Sequence, residues 1–575
     1  MENENMYFHT EQTPEHQNNN SSPKSSNYSV PPQAPPVYYV PPKPKERKPV
    51  KLNKKDLIFT VIFALMSFLL VDFTMLHGLN LGFTISFFAL FAAVSAYLFD
   101  KSTKVSAFSY ICGSLSLAGA VTFTVYHDYF INAVMLLIVA GLFTIYTCGL
   151  SGTFSNKQGS YKICYDMLNG IFSKPFSFLP EIRDGFKEST KSGSRVKNVF
   201  IGIAVSLPVL LVVIPLLVSS DEAFGNLVTI LLENIGTYLV ELVIAVFVFL
   251  YIVLYFVSKR KKLRLDKGKG KLYKGFVPRT VSISFLSVIS VVYIAYLFSQ
   301  LAYFFSAFSG ILPDGYELTA SEFARRGFFE MFAICAINMI IITLVTIFTK
   351  RNGGKLIAVK LISSFIMLFS VLLLVTSIAK MKLNIEIFGL SKNRIMVCAF
   401  MLMMLVAIFF YILHIINPKV SYMQSIVVVC SAIFIALAFS NIDARIAEYN
   451  INAYDSNKID TLDVEYIADL SDSAVPYVIE LAKRDDKDIS LRAQYKIYEM
   501  SLNRYYEYDD SDFREYNYSA NTANALCVEY YNSLSEKGKQ YFDEKLSNDY
   551  YDKYYKDEYA DEYSDEYSDD YSEAI

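Results

Sequence analysis

Charged residues are scarce in this chain, and the cysteines form no recognisable pattern. Only 19% of its 575 residues are Asp, Glu, Lys or Arg, whereas a soluble domain carries about 25%. The seven cysteines have no zinc-like spacing. Cys527 is the single cysteine after residue 440, so the sequence excludes a C-terminal region held together by internal disulfides. The composition is that of a membrane protein.

The standard enzyme and nucleotide-binding motifs are missing as well. The sequence contains no G-x-x-x-x-G-K-[ST], no G-x-S-x-G and no H-E-x-x-H, which mark phosphate loops, serine hydrolases and zinc proteases. A cleavable signal is also missing, because the polar residues 1–50 lack an early apolar run. We therefore expect no enzyme activity, no cofactor or metal, and no nucleic-acid partner.

Long apolar stretches fill the chain between Leu57 and Ser440. A helix that crosses a bilayer needs about 20 mostly apolar residues. The sequence therefore predicts an all-α fold, that of a polytopic helical membrane protein with about eleven transmembrane helices. The predicted spans are 57–76, 79–99, 105–126, 130–150, 198–218, 235–257, 280–304, 327–349, 356–379, 395–416 and 420–440.

Polar segments flank this transmembrane domain, which we assign to residues 51–440. Residues 1–50 are Pro-rich and poor in aliphatic residues, which predicts a disordered tail. Residues 441–547 show short helical patterns and predict a small helical extramembrane region. Residues 548–575 repeat Tyr, Asp and Glu, which predicts a second disordered tail. Residues 441–575 together hold 33 acidic and 14 basic residues.

The loops between the spans alternate in charge. The even-numbered loops are rich in Lys and Arg, above all in the run from Lys259 to Lys274, and basic loops favour the cytoplasm. This predicts a membrane protein with its N-terminus inside and, after an odd number of spans, its C-terminal region outside. The partners expected are the bilayer, anionic lipids at the basic loops, and a protein at the C-terminal region. One span more or fewer would move the C-terminus to the cytoplasm.

Polar side chains collect at the predicted outer boundary. At the start of the eighth span, Glu322, Arg326 and Glu330 recur every four residues and share one helix face. Charges at this depth are costly unless they are paired. The cluster is therefore either an ion-pair network that holds helices together or a ligand site in an aqueous cavity. The ten candidate residues are Asp221, Glu222, Glu322, Arg325, Arg326, Glu330, Arg394, Asn441, Asp443 and Arg445.

Two polar residues lie deeper in the predicted spans. Glu241 lies about two turns into the sixth span, where a carboxylate needs a partner or a proton. Asn338 lies inside the eighth span, two turns beyond the charged ladder. Both residues are compatible with a structural role and with a transport pathway.

Several strings of this chain resemble one family. FARRGFFEM, MKLNIEIFGLSKNR, NIDARIAEYNI and LDVEYIADLSDSAVPYVIELA occur in this order. Together with SSDEAF they resemble bacterial multi-pass membrane proteins of the domain of unknown function 4153 or 4173 type, over roughly residues 57–485. The resemblance implies an integral, multi-pass protein of the bacterial plasma membrane without an assigned activity, and it adds no mechanism.

Two functions remain open at this point. The first is a non-enzymatic sensing, envelope-regulatory or scaffolding role, because polar parts of opposite charge flank the membrane domain. The alternative is a transporter or channel for a solute or ion. It is favoured by the many spans, by Pro208 and Pro215 in the fifth, and by the polar residues within the spans.

Overall fold

The structure is a computed structural model in which helices dominate. All described residues belong to one compact unit, Pro49–Ile575. Apart from 213, 217, 220 and 221, the described residues are 49–75, 77–154, 171–172, 174–189, 235–262, 276–309, 328–350, 356–417, 419–507 and 512–546. Within these ranges the one β-type contact is an isolated parallel bridge between Val277 and Thr349.

Twelve helices precede the C-terminal domain in the described part of the chain. They are α1 (Lys54–Met75), α2 (Leu81–Leu98), α3 (Ala107–Val125), α4 (Tyr129–Ser151), the short α5 (Lys174–Ser177) and α6 (Leu179–Ser189), α7 (Ile235–Arg260), α8 (Arg279–Ser309), α9 (Phe328–Phe348), α10 (Ile357–Phe388), α11 (Lys392–Ile416) and α12 (Tyr422–Ala438).

The predicted fold class, a polytopic helical membrane protein, is confirmed. Nine described helices are long and apolar enough to cross a membrane, or ten if α12 is counted with the helix that follows it at a bend of 61°. Ten of the predicted spans coincide with described helices. The predicted span 198–218 lies outside the described residues except for isolated positions. The outward helix sides are apolar, with Val61, Val288 and Leu361 about two-thirds exposed, as lipid-facing surfaces require.

The membrane helices form two packed groups. Helices α1–α4 and α7 share one core, in which the Phe63 ring contacts Tyr97 at 5.3 Å and Phe256 at 5.5 Å. Helices α8–α11 share a second core around Ile366, Leu373 and Met401. Helix α12 joins the groups because it packs against both α3 and α11.

Asn338 is part of the second core. The Tyr293 hydroxyl donates to Asn338 Oδ1 at 2.5 Å, and Asn338 Nδ2 donates to Ser370 Oγ at 2.9 Å. A buried amide with both ends hydrogen-bonded fixes the register of neighbouring helices. The contacts of this residue therefore support its structural role.

The bundle has two ends, which we name by their contents. The basic face contains the start of α1 and the ends of α2, α4 and α7, where Arg260 contacts Asp56 and Lys259 contacts Cys148. The domain face contains the opposite helix ends. Helices α4 and α7 both end at the basic face. The assignment of the basic face to the cytoplasm stays a prediction.

A small helical domain, which we call the C-terminal domain, follows α12 at the domain face. Its helices are α13 (Ile442–Asp455), α14 (Val464–Ala468), α15 (Val475–Ala482), α16 (Lys487–Glu507) and α17 (Tyr518–Ser533), with 3₁₀ turns at Asp472–Ala474 and Phe513–Glu515. A last helical stretch covers 536–546. Their apolar faces share a core around Ile467, Val478, Leu481 and Ile497. The predicted tails 1–50 and 548–575 lie outside the described residues, except for Pro49 and Val50.

Candidate functional site at the domain joint

The loop between α10 and α11 is fastened to the C-terminal domain by Asn450. The Leu390 backbone N–H donates to Asn450 Oδ1 at 2.6 Å, and Asn450 Nδ2 donates to the Leu390 carbonyl at 2.9 Å. Gly389 makes this approach possible, because its φ is +75° and an added Cβ would lie 2.6 Å from Asn450 Oδ1. The loop can therefore meet α13 only with glycine at this position.

Lys392 ties three chain segments together two residues later. Its ammonium lies 2.7 Å from Asp128 Oδ2 and 3.1 Å from Asp443 Oδ2, and its backbone N–H donates to the Tyr466 hydroxyl at 3.0 Å. Asp128 caps α4, because its Oδ1 accepts from the Ile131 N–H at 2.8 Å. Charge-assisted contacts of this kind are strong when they are buried. We call the contacts of Leu390, Lys392, Asp128, Asp443, Asn450 and Tyr466 the domain joint.

Arg514 makes a second contact between the C-terminal domain and the membrane helices. Its Nη1 lies 2.8 Å from Asp72 Oδ2 of α1, and its guanidinium lies 5.9 Å from the centre of the Phe73 ring. Its Nε also donates to Asp512 Oδ2 at 2.7 Å. These hydrogen bonds from Arg514 hold the pKa of Asp512 below its usual value. One guanidinium therefore contacts both carboxylates, that of Asp72 and that of Asp512.

Backbone contacts continue this docking along α2 and α3. The Leu81 N–H donates to the Tyr516 carbonyl at 3.1 Å, and Asn517 Nδ2 donates to the Phe123 carbonyl at 2.9 Å. The Asn517 side chain is almost fully buried. The segment 512–519 therefore lies directly on the ends of α1–α3.

Replacement of Arg514 by Met should loosen this docking. The change leaves Asp72, which is 13% exposed, without its partner, and an unpaired buried group costs about 1–3 kcal/mol. We expect amide exchange at Leu81, measured by hydrogen–deuterium exchange, to accelerate roughly tenfold or more. The matched control is Arg445→Met, since Arg445 is exposed and its ion pair in the described part of the chain lies within α13, with Glu448. Equal exchange in the two variants would contradict this role for Arg514.

Glu241 of α7 lies near the Arg514 contact. The side chain is fully buried, and neither carboxylate oxygen has a hydrogen-bond partner among the described residues. The ionisable groups near it are those of Asp72, His77 and Arg514. Glu241, the acidic residue that the sequence analysis placed inside a span, therefore receives no hydrogen bond from the described residues.

The candidate residues of the predicted outer cluster have different environments. Asp443 and Asn441 lie together at the domain joint, where both line one cavity. Arg394 donates to the carbonyls of Phe388 at 3.2 Å and Gly389 at 2.7 Å, and so caps the end of α10. Arg445 is exposed, with its Glu448 partner at 3.2 Å. Of these four residues, only Asn441 and Asp443 therefore share a site.

The remaining candidates do not join that site in the described structure. Glu330 lies exposed in the first turn of α9, and Asp221 is also exposed. Four predicted residues lie outside the described part of the chain: Glu222, Glu322, Arg325 and Arg326. The described candidates therefore include a packed pair, a helix cap and several exposed charges.

Two important acidic residues escaped the sequence analysis. Asp128 stands directly before a predicted span, and an Asp in that position is a typical helix cap, which is the signal that could have marked it. Asp56 is fully buried at the basic face, where Lys261 Nζ lies 2.6 Å and Arg260 Nε 3.4 Å from its carboxylate oxygens. The Tyr97 hydroxyl donates to the same carboxylate at 3.0 Å. The partners of both residues come from distant helices.

The joint has the chemistry of a structural contact. Among the residues that the structure describes, no three His, Cys, Asp or Glu side chains come together as a candidate metal site. Three of the four carboxylate oxygens of Asp128 and Asp443 are instead engaged by lysine or backbone donors. Such an arrangement binds two parts of a protein together.

The comparisons with known proteins give a family and nothing closer. The family model described as "Domain of unknown function (DUF4153)" matches residues 87–481. No curated protein and no solved structure matches this chain. The matched region begins within α2, continues through the rest of the membrane part and reaches α15 of the C-terminal domain, so it includes the residues of the domain joint.

Proposed function

Because the chain belongs to the family described as domain of unknown function 4153, we propose a role for it from the contacts of the domain joint. The proposed role is that of a non-enzymatic membrane protein for sensing or scaffolding. In this proposal the C-terminal domain binds a protein partner outside the bacterial plasma membrane, and the domain joint couples that domain to the helices. The observation that carries the proposal is the pairing of Lys392 with Asp128 and Asp443, one from each side of the joint.

A groove beside the joint supports partner binding. It encloses about 210 Å³ between the loop 388–394 and the segment 459–466, with Arg394, Asn450 and Tyr466 among its lining residues. A partner side chain placed there would touch the membrane domain and the C-terminal domain at once. Binding would then change the relative stability of arrangements of the two parts, which is the requirement for a sensor.

Cross-linking in cells tests this function. We would compare partners recovered with the parent chain, a chain that lacks 455–575, Arg514→Met and Arg445→Met. We expect the truncated chain to lose partners and Arg514→Met to recover fewer, because the contact of Arg514 with Asp72 positions the domain. Arg445→Met should behave as the parent does. An unchanged partner set after truncation would contradict the proposal.

A transporter or channel is the second candidate, and Glu241 favours it. A buried carboxyl without a hydrogen-bond partner among the described residues is typical of proton and ion pathways. Ion or proton flux in proteoliposomes, compared between the parent and Glu241→Gln, tests this function. We expect flux in the parent that Glu241→Gln abolishes. A tight bilayer under every imposed gradient would exclude it.

A further inference from the structure

A small polar cavity lies inside the domain joint. It has a volume of about 20 Å³, which is enough for one water-sized species. The turn before α4, the turn between α12 and α13, and the 3₁₀ turn of the C-terminal domain enclose it. Its oxygen-bearing lining residues include Thr122, Asp128, Asn132, Asn441, Asp443 and Ser473. The cavity thus lies between the membrane helices and the C-terminal domain.

The charges around this cavity do not balance. Asp128 is 8% exposed and Asp443 is 3% exposed, and Lys392 is the cation that contacts both. With the His127 imidazole, which also lines the cavity, counted as uncharged, one ammonium against two carboxylates leaves a formal charge of −1. Such a charge is costly in a buried place without a further cation.

Two oxygens at the cavity also lack donors. Asp443 Oδ1 and Asn441 Oδ1 are buried and have no hydrogen-bond partner among the described residues. The other oxygen of Asp443 accepts from the Ser471 N–H at 3.2 Å, so the carboxylate is held in place. Asn441 adopts a left-handed backbone with φ of 53°, a conformation that fixes its position at the turn. The free oxygens are therefore fixed acceptors beside an uncompensated charge.

We propose that this cavity binds one sodium ion. Carboxylate and amide oxygens are the ligands of hard cations, and the ligands here are oxygens of Asp443, Asn441 and Asp128. A monovalent cation brings the site to neutrality, whereas a divalent ion would leave an excess positive charge next to Lys392. The small volume admits a bare ion and excludes an organic cation.

This ion would stabilise the joint directly. Asp128 belongs to the membrane helices, while Asp443 and the Ser471 backbone belong to the C-terminal domain. An ion bound between them favours the docked form by mass action. The inference is independent of the proposed sensing role, since sodium binding could fail while partner binding holds.

Thermal unfolding of the purified full chain at pH 8 tests the proposal. At equal ionic strength, exchange of choline chloride for sodium chloride should raise the melting temperature by about 2–4 °C. Potassium chloride should give a smaller increase, and an increase equal to that of sodium would overturn the assignment. A larger response to calcium chloride at the same concentration, or no difference between sodium and choline, would also overturn it.

Variants locate the ion in this cavity. Asp443→Asn should lose the sodium response, and Glu448→Gln on the exposed side of the same helix should keep it. Asn441→Gly removes one ligand while it retains the left-handed backbone, so it should weaken the sodium response several-fold even if Asp443→Asn fails to fold. A full sodium response in Asn441→Gly would contradict the proposed ligand set.

Discussion

Replacement of Asp56 by Ala is expected to lower the free energy of unfolding by about 3–5 kcal/mol. The carboxylate is fully buried and lies 2.6 Å from Lys261 Nζ and 3.4 Å from Arg260 Nε. Its loss leaves two cations facing each other at the basic face, with 17% and 23% of their side chains exposed. It also removes the acceptor of the Tyr97 hydroxyl. The start of α1 should therefore detach from the end of α7.

Asp100→Ala is the matched control for this effect. Asp100 is an acidic residue at the same face, but it is 48% exposed and lies 3.8 Å from its Lys262 partner. An exposed pair contributes about 0–1 kcal/mol. Both variants are compared with the parent by the melting temperature and the yield of the protein purified in detergent. If Asp56→Ala melted as Asp100→Ala does, the buried network would have no role in stability.

Replacement of Lys392 by Met is expected to cost about 3–5 kcal/mol as well. The change leaves Asp128 and Asp443 buried against each other without the ammonium that lies 2.7 Å and 3.1 Å from their oxygens. The two carboxylates then repel each other in a site with little water. We expect a lower melting temperature and faster amide exchange in α13 and in the first turn of α4.

A rescue variant separates charge from packing at this site. Neutralisation of one carboxylate, in the double variant Lys392→Met with Asp443→Asn, should restore part of the lost stability, because the repulsion is removed. Lys382→Met is the control, since Lys382 is 77% exposed and its ion pair among the described residues is with Glu386 of its own helix. Similar losses in Lys382→Met and Lys392→Met would show that the domain joint does not depend on this ammonium.

The transmembrane helices were predictable because their length has one physical cause. About 20 apolar residues are needed to cross the hydrocarbon core, so each apolar run marks a span without knowledge of its neighbours. The limits of the spans depend on local polar contacts and were less well predicted. The first span was expected to begin at residue 57, whereas α1 begins at Lys54. Asp56 can enter the helix because the Asn53 N–H, Tyr97 and two cations satisfy its carboxylate.

The domain joint could be foreseen only in part. Asn441 and Asp443 stand out as polar residues directly after the last span, and the structure places both at the joint. The sequence analysis singled out neither Lys392, the partner of Asp443, nor Asp128. Which boundary charges meet depends on the order in which helices pack, and the 3.6-residue period of one helix carries no information about that order.

The most direct test of the account is the sidedness of the two faces. The central claim is that the C-terminal domain lies at the opposite end of the bundle from the start of α1. Exposed positions suited to a single introduced cysteine are Asp100 at the basic face and Lys458 in the C-terminal domain. With a membrane-impermeant thiol reagent on intact cells, we predict labelling of Lys458→Cys above the parent background and none of Asp100→Cys until the membrane is opened. Labelling of both positions from the same side would contradict the account.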